Sequence, residues 1–189
     1  MSLPIFSLLS PLVVLMSALL FIGEPGRRPR HLPRVAEASA LVALGFACAN
    51  LLQLFAVGPL GLTMDNGLVL LRLDAISATM TLLVAFVGWI VVRYSRTYLD
   101  GEAREGAFHG WMLAALAAVL TLMQAGSLLV LIAGFVTVGL VVRQLLLFYP
   151  ERPAARRAAA KFTLVWSAGD VVLIVAALHF LMPRGGFDV

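Results

Sequence analysis

The sequence is poor in the residues that usually carry chemistry. It has one cysteine, three histidines and only 13% charged residues among 189. A single cysteine excludes an internal disulfide, and the place of Cys48 inside an apolar stretch reads as a small buried hydrophobe. The histidines, His31, His109 and His179, are dispersed without metal-ligand spacing, so neither a metal nor a cofactor is expected. His109, with Trp111, opens an apolar run and reads as an interfacial anchor, and His179 has the same look at a later run's end. No Gly-rich phosphate loop, Ser-His-Asp set or haem-spaced histidine pair is present. The chain does not read as a self-contained enzyme. Its first ten residues lack a basic signal-peptide region, and 3–22 is long enough to span a bilayer, so a retained first helix is expected.

What the chain has in abundance is apolar sequence. Hydrophobic residues make up 61%, and mean hydropathy is +0.99. Several runs exceed the length that crosses a bilayer, which points to an integral membrane protein. The pI near 10.0 invites a nucleic-acid reading. Yet the basic residues cluster in short loops between apolar runs, as orientation signals do, so no nucleic-acid partner is expected.

The pattern predicts an all-α polytopic bundle of about six transmembrane helices in one membrane domain, 1–189. The spans fall at about 3–22, 36–58, 75–92, 108–124, 127–149 and 162–182. Two prolines and four arginines make 27–34 a loop, and 93–107 is a charged connector. Between the second and third spans, Asn66-Gly67 is a hairpin-turn dipeptide, so a short β-hairpin or structured loop is expected there. Asp74 is placed to cap the third span. Arg27, Arg28, Arg30 and Arg34, then Arg93, Arg96 and Arg104, then Arg152, Arg156, Arg157 and Lys161 occupy the three alternate loops. The other side offers Arg72 and Arg184, which predicts both termini outside.

Charges within spans are costly and usually paired or functional. Arg143 lies six residues before Tyr149, about 9 Å below that helix end, where it either snorkels or pairs. Asp170 lies eight residues past Phe162, about 12 Å deep, and is too short to snorkel. Their spans are consecutive and joined by a short loop, so an ion pair or a proton relay through Arg143 and Asp170 is the candidate site. Asn50 and Gln53, three residues apart, share a helix face and read as interhelical hydrogen-bonding glue.

Several strings carry a resemblance. Leu71-Arg72-Leu73-Asp74-Ala75-Ile76-Ser77 after a hairpin, and Arg93-Tyr94-Ser95-Arg96-Thr97-Tyr98-Leu99-Asp100-Gly101-Glu102, resemble the approach to the third helix and the following connector of antiporter-like membrane subunits. These are the NuoL subunit of NADH dehydrogenase, the A subunit of Mrp sodium/proton antiporters and the DabB subunit of the DAB inorganic-carbon pump. Leu145-Leu146-Leu147-Phe148-Tyr149-Pro150-Glu151-Arg152-Pro153-Ala154-Ala155 and Gly169-Asp170 are most similar to DabB. Where the family places a fifth-helix glutamate this chain has Val136, with Phe135 for the usual tryptophan. Arg143 falls at a DabB-like histidine, and Ser167 at an arginine. Family members continue through about twice as many helices, so the chain is expected to correspond to their N-terminal half, as a truncated form.

The resemblance implies a membrane subunit of an energy-coupled bicarbonate or CO2 uptake complex with a soluble, DabA-like zinc-bearing partner. The alternative is an accessory subunit of an NADH-quinone oxidoreductase-like or Mrp-type complex. A third reading is a structural or assembly subunit with no ion translocation of its own.

Overall fold

Six helices and one small hairpin follow one another along the chain: α1 (Ile5–Ile22), α2 (Leu32–Val57), β1 (Leu60–Thr63), β2 (Val69–Leu73), α3 (Ala75–Tyr98), α4 (Glu105–Met123), α5 (Leu128–Leu146) and α6 (Pro153–Leu181). This computed structural model describes residues 5–22, 31–63, 69–102 and 104–181. The all-α membrane bundle expected from the sequence is the one observed. Among the described residues five helices, α2 to α6, are long and apolar enough to cross a membrane. The apolar stretch of α1, Ile5–Phe21, is shorter than the 3–22 span expected, and residues 3 and 4 lie outside the described residues.

The expected boundaries need correction at the charged end of the bundle. The third helix runs on from 92 to Tyr98, through Arg93 and Arg96. The sixth begins at Pro153, not 162, and absorbs most of the basic loop. The fifth stops at Leu146 rather than 149. The physical reason is that hydropathy reports where a helix leaves hydrocarbon, not where it ends. Pro153 supplies a fixed helical φ for the first turn, and Ala154-Ala155-Arg156-Arg157-Ala158-Ala159-Ala160-Lys161 is made of strong helix formers.

α4 lies at the centre, packed against α1, α2, α3 and α5, while α6 packs mainly on α5. Lipid tails are as apolar as leucine, so close approach, not water exclusion, holds membrane helices together. Small residues provide that approach on α2, whose buried stripe is Ala36, Ser39, Ala40, Ala43, Ala47 and Asn50. Against it sit Val14, Ala18 and Phe21 of α1 and Leu113, Leu116 and Leu120 of α4, all in one core cluster. Cys48 falls off the stripe and is exposed on α2, contrary to the buried role expected of it.

At the other end, the hairpin forms as expected, although its Asn66-Gly67 turn lies outside the described residues. β1 and β2 pair antiparallel, Leu60 with Leu73 and Leu62 with Leu71, with an irregularity at Thr63. Leu71 and Leu73 turn into the bundle and are buried. The turn between α4 and α5 joins this hairpin by main-chain bonds: Arg72 N–H donates to Gln124 O at 2.8 Å, and Gly126 N–H to Leu70 O at 3.0 Å. A Cβ on Gly126 would stand 2.9 Å from Val69 O, so only glycine fits that approach. Asp74 then starts α3 with a capping box. Its Oδ1 accepts from Ser77 N–H at 2.8 Å, and Ser77 Oγ accepts from Asp74 N–H at 2.8 Å.

Candidate functional site

Arg143 and Asp170, the two charges singled out from the sequence, are not brought together. Trp166 fixes the register of α5 against α6: its indole stacks on Phe135 with centroids 4.6 Å apart, and its Nε1–H donates to Phe135 O at 3.2 Å. Gly169, next to Asp170, faces the same Phe135. Asp170 therefore sits near the level of Phe135, eight residues or about 12 Å along the axis from Arg143. Because α5 ends early, Arg143 occupies its last turn, and its side chain is exposed on the bundle surface. Among the described residues the ion pairs are Arg72 with Asp74 and Glu37 with Arg93 and Arg96, and neither Arg143 nor Asp170 joins one. Asp170 is half-buried on α6, and its Oδ1 has no hydrogen-bond partner. Unpaired carboxylate oxygens in an apolar setting are costly.

His109 is a residue whose role the sequence reading missed. It lies one turn inside α4, fully buried, and neither ring nitrogen has a partner among the described residues. Glu105, one turn before it on the same face, is also buried, and its Oε2 accepts from Gly101 N–H at 3.2 Å. Gly101 makes that turn at φ +88°, in the left-handed region. The signal for burial was the absence of a break in the face Glu105, His109, Leu113, Leu116, Leu120, read at helical spacing. Its titratable members occupy the charged end, and Leu113, Leu116 and Leu120 fill the middle. Toward the hairpin end, polarity returns. Asn50 Oδ1 accepts from Ser7 Oγ at 3.0 Å, the interhelical bond expected of Asn50. Thr81 and Gln124 are likewise buried there.

The two strings that carried the family resemblance meet at the charged end. Arg104 donates to Phe148 O at 3.1 Å, and Phe108 packs edge-on against Phe148 with centroids 5.1 Å apart. The Tyr149 hydroxyl hydrogen-bonds the Glu102 carboxyl, and the Arg152 guanidinium lies 4.3 Å over the Tyr149 ring. Desolvation, and after it the negative charge of Glu102, push the Tyr149 phenol above its ordinary pKa. Glu37 of α2 ties into the same end through Arg93 and Arg96 of α3. The connector after α3 and the connector after α5 thus form one interlocked hub.

Residues 68–109, from β2 through the connector to His109, match the family described as NADH-ubiquinone oxidoreductase (complex I) chain 5 N-terminus. The chain is related to the antiporter-like membrane subunits. It is 30% identical over 110 residues to the probable inorganic carbon transporter subunit DabB of Hydrogenovibrio crunogenus, covering 58% of this chain and 21% of that protein. With DabB2 of Halothiobacillus neapolitanus it shares 26% identity over 177 residues, 89% of this chain and 32% of the relative. With NADH-quinone oxidoreductase subunit L of Escherichia coli it shares 34% over 106 residues, 56% of this chain and 17% of the relative. The chain thus spans between 17% and 32% of the length of these relatives. By name, they are subunits of transporters or respiratory complexes.

Proposed function

We propose that this antiporter-like chain serves as a membrane subunit of an energy-coupled inorganic-carbon transport complex, with its hub facing the cytoplasm and a DabA-like soluble protein as partner. The observation that carries this reading is the reach of the DabB-type similarity. It extends over 89% of the chain for DabB2 of Halothiobacillus neapolitanus and 58% for DabB of Hydrogenovibrio crunogenus, against 56% for the Escherichia coli NADH-quinone oxidoreductase subunit L. The excess of Arg and Lys in the connectors after α3 and α5 supports the orientation. In this role His109 and Asp170 are the candidate relay groups, since both carry buried polar atoms without partners among the described residues.

A second reading, a subunit of an NADH-quinone oxidoreductase-like complex, is favoured by the higher local identity to subunit L, 34% over 106 residues. One experiment separates them. Deleting the gene from its host should abolish growth in ambient air and leave growth under elevated CO2 intact, with His109→Gln complementing poorly. Normal growth in air together with lost NADH-dependent quinone reduction would overturn the carbon-transport reading in favour of the second.

A further inference from the structure

Between the charged ends of α5 and α6 lies a cleft of about 460 Å3 that the proposed function does not use. Arg143 lines it from the last turn of α5 and Arg156 from the first turns of α6, with Leu147, Thr163 and Leu164 completing the lining. We infer that this cleft binds the phosphate of an anionic phospholipid, with Arg143 and Arg156 as its two ligands and an acyl chain along Leu147 and Leu164.

Three observations support the assignment. The first is charge: two arginines line one cleft, no acidic residue does, and neither arginine has an ion-pair partner among the described residues. A phosphate accepts from two such forks with good geometry. The second is a fixed donor. Arg156 Nε–H donates to Pro150 O at 2.8 Å, which anchors one edge of its guanidinium to the connector and leaves the terminal N–H groups for a ligand. The third is the surroundings. Leu164 of the lining and its neighbour Val165 are each 70% exposed on a helix long and apolar enough to cross a membrane, so the apolar flank of the cleft is open. A soluble anion needs no such wall, whereas a lipid needs both the basic mouth and the apolar flank. Thr163 is also in the lining, its hydroxyl donating to Ala159 O at 2.8 Å.

Native mass spectrometry of the detergent-purified protein tests this. The protein is incubated with phosphatidylglycerol or with phosphatidylcholine of the same acyl chains, each with and without millimolar inorganic phosphate. Phosphatidylglycerol should stay bound at collision energies that strip phosphatidylcholine, and free phosphate should not displace it. In Arg143→Leu/Arg156→Leu the bound phosphatidylglycerol should fall about tenfold or more. Arg143→Lys/Arg156→Lys, which keeps both charges, should retain most of it. Equal retention of the two lipids overturns the inference, as does unchanged phosphatidylglycerol binding in the leucine variant. Displacement by inorganic phosphate would show a soluble-anion site instead. Should the leucine variant fail to fold, the wild-type comparison of the two lipids, with and without phosphate, still decides.

Discussion

Gly139 is where a single methyl group should separate packing from propensity. A Cβ there would overlap the indole of Trp166 at Nε1 and Cδ1. The indole has nowhere free to go, because its N–H is bonded to Phe135 O and its face stacks on the Phe135 ring. Gly139→Ala must therefore break both contacts. An interhelical hydrogen bond in a membrane contributes about 0.6–1.7 kcal/mol. An aromatic pair adds about 0.5–1.5 kcal/mol. The expected loss is thus about 1–3 kcal/mol, partly offset by up to about 1 kcal/mol from the better helix propensity of alanine. Gly45, in the interior of α2, measures that offset directly, since a Cβ there would meet nothing within 4 Å. The quantity to measure is the difference between Gly139→Ala and Gly45→Ala in a mixed-micelle unfolding titration, with tryptophan emission as the signal. It should be about 1–3 kcal/mol, and it should shrink to near zero in a Trp166→Leu background, where the obstacle is gone. If the two alanine variants behave alike, or the loss persists without the indole, the α5–α6 register described above is wrong.

Two further outcomes follow from the geometry. Arg143→Leu and Asp170→Leu, about 12 Å apart along the helices by rise alone, should be additive within about 0.5 kcal/mol in the same titration; strong recovery in the double variant would mean that the two charges pair after all. Asp74→Ala should cost about 1 kcal/mol through the lost cap. The Ser77 N–H bond, then the Ser77 hydroxyl and Arg72, outweigh desolvation and hold the Asp74 carboxyl below its ordinary value of 3.8. The cap's contribution is therefore complete above that pH and fades as acid titrates the folded carboxyl, so the gap between wild type and Asp74→Ala should close on acidification below about pH 4; a gap constant with pH would refute it.

The architecture was legible because bilayers enforce long apolar helices, and the hairpin and the Asp74 cap were legible because their signals are local. What sequence could not reveal is register. Arg143 and Asp170 looked level because both depths were counted from presumed helix ends, and α5 stops at Leu146 while α6 begins at Pro153. His109 looked interfacial because it opens an apolar run. Its burial follows from α4 being the central helix, a fact of packing that no single segment encodes. Cys48 was misplaced for the same reason, since a helix that is apolar all round does not announce which side faces its neighbours. Glu37, on a turn read only as the start of a span, gave no hint of its arginine partners on α3.

The two ends of this bundle are fastened by different materials. At the hairpin end the α4–α5 turn is stitched to β2 through peptide groups, and every residue but proline carries those groups. Drift in side chains there leaves the stitching intact, with Gly126 the position that cannot change. At the hub, the fastening runs through the particular side chains of Glu37, Arg93, Arg96, Glu102, Arg104, Tyr149 and Arg156. A substitution at one end is absorbed; at the other it unties two connectors. The hairpin end thus behaves as a frame that tolerates sequence change, and the hub as a lock whose combination is written in particular side chains, several of them in the strings that made the chain recognisable.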